Sequence, residues 1–250
     1  MKRIFLLISL ITCFGLSAFS QMEAVKQANE LYAKGNYQRA AKQYEEILSI
    51  QGVAPELYYN LGNTYFKMNE VGRSILNYER ALRLSPGYED AQINLELAQQ
   101  KVVDNINQVP TFFIGRWIND MIKMLTSNQW IIISFGLFLV CLVSAFLFVF
   151  GYSQQLRKSS FYLGIVLLFF SLICLVFSGI QKNQMTNHRD AIIMSGVVTV
   201  KSSPDESGTD LFLLHEGTKV NVKSSLGGWS EIKLRNGSIG WVEQANIEKI

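Results

Sequence analysis

Cysteine is nearly absent from this sequence: there are 3 in 250 residues, and none falls in a segment polar enough to fold as a water-soluble domain. Cys13 lies in an apolar amino-terminal stretch, and Cys141 and Cys174 lie in long apolar runs where small-residue packing is their role. The polar segments can therefore build neither a disulfide framework nor a cysteine-based metal site. Histidine is scarcer still. His188 and His215 have no second ligand at metal spacing, and the chain lacks a nucleophile motif and a phosphate-cradling glycine loop. His215 reads as an ordinary exposed loop residue. An enzyme would need scattered carboxylates, yet Glu45-Glu46 and Glu89-Asp90 are neighbours on predicted helices, where adjacent side chains diverge. The expectation is a non-enzymatic chain with no cofactor and no metal. An excess of one charge is also missing. Residues 21–108 carry 9 basic and 11 acidic side chains and residues 185–250 carry 7 and 8, so neither offers the basic surface that nucleic-acid binding requires.

What the chain does have is apolar sequence in blocks. Met1 to Ser20 opens on Lys2 and Arg3, runs apolar from Ile4 to Leu16, and places Ala18 and Ser20 at the spacing signal peptidases accept. It reads as a secretory signal cut before Gln21, with an uncleaved anchor as the alternative. Trp130 to Tyr152 and Phe161 to Ile180 are uncharged and near or above the ~20 residues that cross hydrocarbon as a helix. Both are expected to span a lipid bilayer. The predicted loop between them, Gln154 to Ser160, carries Arg157 and Lys158 and suits a cytoplasmic hairpin. Export by the signal then places both soluble segments on the periplasmic side of the inner membrane.

In the first soluble segment, an offset of 34 residues aligns Ala28 with Gly62, Leu31 with Tyr65, Ala40 with Ser74, Tyr44 with Tyr78 and Ile47 with Ala81. With Tyr58, Leu61 and Pro86, this pattern resembles the tetratricopeptide family, whose period it matches. The resemblance implies two helical hairpins, 21–54 and 55–88, and a capping helix over 88–104, within a domain spanning 21–106. In that family the first helix of each hairpin lines a concave groove, which here would present Val25, Asn29 and Tyr32, then Tyr59, Asn63 and Phe66. The asparagines fall at equivalent positions. Their amides either hydrogen-bond the backbone of an extended peptide or merely solvate the groove.

Between residues 109 and 125, Phe113, Trp117, Met121 and Leu125 recur at helical spacing opposite Arg116, Asn119 and Lys123. This predicts an amphipathic helix, either lying along the membrane interface with Trp117 and Trp130 at headgroup depth or buried against the repeats. From Gly196 onward the texture alternates: Val198 and Val200, Val220 and Val222, Ile232 and Leu234, Ile239 and Trp241, with Asn236-Gly237 as a hairpin signal. Such short strands are expected to curl into a small barrel. The motifs His215-Glu216-Gly217-Thr218-Lys219-Val220, Gly227-Gly228-Trp229 and Asn236-Gly237-Ser238-Ile239-Gly240-Trp241-Val242 resemble bacterial SH3-like domains, over 190–250. By that resemblance a wall peptide, peptidoglycan or a protein partner would meet Trp229 and Phe212. Trp229 also reads as a partial plug of the barrel end, and Trp241 reads as core.

The fold class expected is thus multi-domain: all-α helical hairpins, a two-helix membrane hairpin and an all-β SH3-like barrel. This order resembles the BatE family of the Bacteroides aerotolerance operon. The resemblance implies a scaffold in an aerotolerance or envelope-stress complex, with von Willebrand factor A domain membrane proteins as partners and a MoxR-type ATPase acting indirectly. The other reading is an envelope sensor that grips the wall through its SH3-like domain.

Overall fold

The computed structural model describes residues 22–104, 113–186 and 189–250; the expected signal, 1–20, lies outside the described residues. The chain forms two units. One takes the described parts of Met1–Leu82, Tyr88–Val109 and Arg189–Ile250, the other Arg83–Gly87 with the described part of Pro110–His188.

The first unit begins with helices α1 (22–33), α2 (Tyr37–Gln51), α3 (Pro55–Lys67), α4 (Val71–Leu84) and α5 (Glu89–Gln99). The 34-residue register has a packing cause. Ala28 and Gly62 are fully or nearly fully buried where two helices of a hairpin meet, and a Cβ on Gly62 would come within 2.7 Å of the Tyr78 ring. Tyr44 and Tyr78 fill the corresponding spaces in successive hairpins. α5 buries Ala91, Leu95 and Ala98, the spacing read for a capping helix.

The β domain consists of β1 (Asp190–Ile193), β2 (Val197–Lys201), β3 (Asp210–His215), β4 (Lys219–Leu226), β5 (Trp229–Lys233), β6 (Ile239–Glu243) and β7 (Ile247–Lys249). Every pairing described is antiparallel, in the order β3-β2-β6-β5-β4-β1-β7. β1 and β3 stand far apart in that order, yet Ala191, Ile193 and Leu214 share one core with Val198, Val200, Val220, Val222, Ile232, Leu234 and Val242. The sheet therefore curls around its own interior, as expected of strands this short. Gly227 and Gly228 both adopt positive φ, at 56° and 86°, which is the two-residue turn that joins β4 to β5 without splaying them.

Alternation corrects one expectation here. On β6 the inward positions are Gly240 and Val242, so Trp241 is half-buried on the outer face and is not a core residue.

The repeat helices and the β domain share a hydrophobic core, a contact that reading the two as separate domains does not contain. Ile192 and Ile250 join Ile75, Leu76, Tyr78, Leu95 and Ala98 in one cluster. β1 is thus buried on both faces, Ala191 and Ile193 inward and Ile192 against the helices, which explains a continuous Ala-Ile-Ile run where other strands alternate.

In the second unit, α6 (Phe113–Lys123) exposes Phe113 and Trp117 and buries Ile122. Thr126 and Gln129 form a reciprocal capping box that starts α7 (Ser127–Phe150). α8 (Gln154–Thr186) is longer than the apolar run within it. The predicted loop over 154–160 is helical, because Gln-Gln-Leu-Arg-Lys contains strong helix formers and no breaker. The connection shrinks to Gly151–Ser153, and the Ser153 hydroxyl accepts the Leu156 N–H at 3.1 Å. At 24 and 33 residues, both helices are long and apolar enough to cross a bilayer.

Their contact is a seam of small side chains seven residues apart. Ser127 pairs with Ser178 and Ser134 with Ser171, each hydroxyl donating to the partner's backbone carbonyl at 2.9–3.1 Å. Cys141 continues the series by donating to the Gly164 carbonyl at 3.3 Å. A seven-residue period keeps one seam facing a partner helix, and small residues let the backbones come close.

Candidate functional site

The first helices of the hairpins lie side by side and line a cavity of about 290 Å³. Of the six groove residues expected from sequence, Tyr32, Tyr59, Asn63 and Phe66 line it. Val25 instead packs against the core formed by Ala28, Tyr44 and Leu61. Asn29 is exposed, and its Oδ1 accepts the Tyr44 hydroxyl at 2.5 Å.

The two asparagines are held alike. Tyr44 reaches Asn29 and Tyr78 reaches Asn63, at 2.5 and 2.6 Å, the partners standing 15 positions apart in each case. The same 34-residue step that repeats the helices thus repeats a hydrogen bond. Burial raises the tyrosines' pKa, Tyr44 to about 12 and Tyr78 likewise upward, so both phenols remain protonated donors at neutral pH. Tyr32 is raised too, by burial and then by neighbouring Tyr37 and Tyr59.

Asn94 of α5 was not singled out from sequence, yet it completes the arrangement. Its Nδ2 donates to Asn63 Oδ1 at 2.8 Å and approaches the Tyr59 hydroxyl at 3.2 Å. The Asn63 oxygen therefore accepts two internal bonds, and what that side chain has left to offer a ligand is its Nδ2 donors. A groove with a fixed amide donor between aromatic walls suits the carbonyl oxygens of an extended chain.

α5 also carries the register further than a cap would need. One more step of 34 takes Tyr59 to Ile93 and Asn63 to Leu97, and Leu97 lines the same cavity. The offset itself could have revealed this third wall.

On the β domain, the two residues read as a shared surface point differently. Phe212 turns inward beside Leu214 and packs on the core, whereas Trp229 is half-buried on the outer face of β5. Trp241 sits on that outer face as well, opposite Glu231.

A group of polar contacts lies where the β3–β4 turn meets the helices, made by His215, Glu216, Thr218 and Lys219, with Gly217 packed among them. Asp104 accepts the His215 N–H, the Thr218 hydroxyl and the His215 ring nitrogen Nδ1, all at 2.7 Å. Burial alone would raise the Asp104 pKa, but the backbone N–H of His215, the Thr218 hydroxyl and the His215 ring hold it below its ordinary value. His215 is accordingly an interface residue and not a free loop residue. Glu216 Oε1 accepts the Gly72 N–H at 2.8 Å, capping the start of α4 from another domain. Gly217, at φ 87°, presses against the helices so closely that a Cβ would meet Val102 at 2.8 Å and Ile75 at 3.0 Å. Lys219 Nζ reaches Glu79 at 2.7 Å and Asp190 at 3.3 Å. Burial opposes its charge, yet Glu79 and then Asp190 raise its pKa above the ordinary lysine value. Nothing in the sequence marks this turn as a docking element, since the same residues also satisfy a hairpin pattern.

Comparison with known families agrees with this architecture. Residues 196–248 match the bacterial SH3 domain, residues 55–88 the tetratricopeptide repeat, and residues 28–69 a further TPR repeat model. A curated relative, a tetratricopeptide repeat and J domain-containing co-chaperone of Cryptococcus neoformans var. grubii, is 31% identical over 72 residues. That match covers 29% of this chain and spans 14% of the relative's length.

Proposed function

We propose that this chain, with tetratricopeptide repeats and a bacterial SH3 domain beside two membrane-length helices, is a membrane-anchored, non-catalytic scaffold. Its groove docks an extended segment of a partner protein. The supporting observation is the repeated tyrosine-to-asparagine hydrogen bond, which holds the two amide groups in the same way before any ligand arrives. Pre-ordered donors lower the entropy cost of binding. Following the BatE resemblance, the partners are membrane proteins with von Willebrand factor A domains, and a MoxR-type ATPase is linked through them. α7 and α8 span the inner membrane, and α6 lies along its surface with Phe113 and Trp117 toward lipid. Both soluble parts face the periplasm.

The test is the isosteric double variant Asn29→Asp, Asn63→Asp. Each carboxylate still accepts the tyrosine hydroxyl but offers no donor and repels peptide carbonyls. Crosslinked co-purification from native membranes should lose its partner proteins while membrane insertion is unchanged. Undiminished recovery rejects the groove as the docking site.

A second reading is favoured by the outward pair Trp229 and Trp241: the β domain grips peptidoglycan and the chain acts as an envelope sensor. Because Ile192 and Ile250 are shared with the helices, the full chain is the right reagent. Titration with muropeptides, abolished by Trp229→Ala, supports the sensor. Silence alongside robust capture of membrane proteins supports the scaffold.

A further inference from the structure

The groove changes character along its length, and that change specifies a ligand. At α1 and α3 the central row presents Asn29 and Asn63, whereas one step further, on α5, it presents Leu97, flanked by Ile93 in the row of Tyr59. Ile93 is 49% exposed and Leu97 46%, although each sits on a helix that buries its own core stripe of Ala91, Leu95 and Ala98. These two aliphatic side chains are thus not needed to hold α5 in place. Phe66 adds an aromatic face to the same end, and Lys101 Nζ stands 4.3 Å from the centre of its ring. Among the described residues lining the cavity, Lys67 is the charged one, and no carboxylate lines it.

We propose that α5 forms an apolar subsite that selects the partner segment: an extended peptide carrying a bulky aliphatic or aromatic side chain next to a carboxylate. The backbone carbonyls of such a segment meet the amide donor of Asn63. Its apolar side chain lies on Ile93 and Leu97. Its carboxylate is drawn by Lys67 and Lys101, and none of the described residues lining the cavity is an acid that would repel it. The selection rests on the groove being a peptide site, and it adds which peptides that site accepts. A lysine-rich or wholly polar segment would leave Leu97 in water and place like charges together.

The test uses the full chain in lipid nanodiscs and short fluorescein-labelled host peptides of serine and threonine, read by fluorescence anisotropy. One position carries Leu or Ser, and its neighbour carries Asp or Lys, on either side. The Leu-Asp peptides should bind tightest. Replacing the Leu guest by Ser should weaken binding about tenfold or more, the worth of burying one such side chain. Replacing Asp by Lys should weaken it several-fold, and less so at high salt. In the Leu97→Ser variant the Leu and Ser guests should bind alike; because Leu97 is exposed, the variant keeps its fold, checked by unchanged circular dichroism. If Leu and Ser guests bind the wild-type chain equally while Asn29→Asp, Asn63→Asp abolishes both, the apolar subsite is overturned and the amide groove stands. If no host peptide binds the wild-type chain at all, both fall.

Discussion

Two interfaces hold this chain together, and they use opposite chemistry. Between α7 and α8, serine hydroxyls bond to backbone carbonyls with no ion in the seam. Between the repeat helices and the β domain, Ile192 and Ile250 enter an apolar cluster ringed by Asp104, Glu216, Lys219 and Glu79. The proposed membrane setting of α7 and α8 accounts for the difference. Lipid tails are as apolar as leucine, so helices in hydrocarbon gain little by hiding apolar surface and associate through close packing and hydroxyl bonds. In water the apolar cluster supplies the drive, and partly buried charges that are fully paired fix the orientation.

The sharpest way to break the contrast is at Gly217, which combines a positive φ with contact on Val102 and Ile75. Gly217→Val should cost the water-facing interface about 3 kcal/mol, from backbone strain plus overpacking. Hydrogen exchange should then show the Ile192 and Gly72 amides losing protection while the α7 and α8 amides keep theirs. An unchanged exchange pattern would mean that the turn does not bear on docking.

Asp104 gives a smaller effect with a pH signature. Its folded pKa lies below the ordinary 3.8, so its contribution is fully present above the unfolded value and is lost as pH falls through the folded value. Protection of the Thr218 amide should therefore persist to about pH 4 and decline below it. Asp104→Asn should cost about 2 kcal/mol at neutral pH, by removing charge-assisted bonds, and should flatten that acid limb. The comparison with wild type isolates Asp104 from Glu79, Asp190 and Glu216, the other carboxylates at this contact. The serine seam should have no acid limb. There, Ser134→Ala with Ser171→Ala keeps the close approach and removes the hydroxyl bonds, so the loss should be about 1 kcal/mol. Steric trapping of the hairpin in bicelles would measure it, and a loss several times larger would show that hydroxyl bonds, and not packing, dominate.

The same division governs what the sequence could reveal. Local periodicities were legible: the 34-residue step and the apolar runs correspond to helices, and the alternation of Val198 with Val200 and Val220 with Val222 to strands. Four of the six groove residues line the cavity, whereas Val25 and Asn29, the first-repeat equivalents of Tyr59 and Asn63, do not. Contacts between distant segments were not legible. The run Ala191-Ile192-Ile193 hints at a doubly covered strand, but nothing local says that α4 and α5 cover it. His215 reads as a loop residue and nothing local marks Lys219, because their partners, Asp104 and Glu79, lie 111 and 140 positions away. Trp241 was misread for a different reason: in a two-residue period, counting from Ile239 instead of Gly240 exchanges the inner and outer faces.

With α7 and α8 crossing a bilayer as proposed, a core shared by the repeats and the β domain requires both to stand on one side of it, which two crossings provide. The direct measurement is labelling of single cysteines introduced at the exposed positions Ser49 and Ser207, in a chain with Cys13, Cys141 and Cys174 replaced by alanine, using a membrane-impermeant maleimide on intact and permeabilised cells. The account predicts that both sites react from the same face of the membrane. Reaction of Ser49→Cys from one face and Ser207→Cys from the other would contradict it.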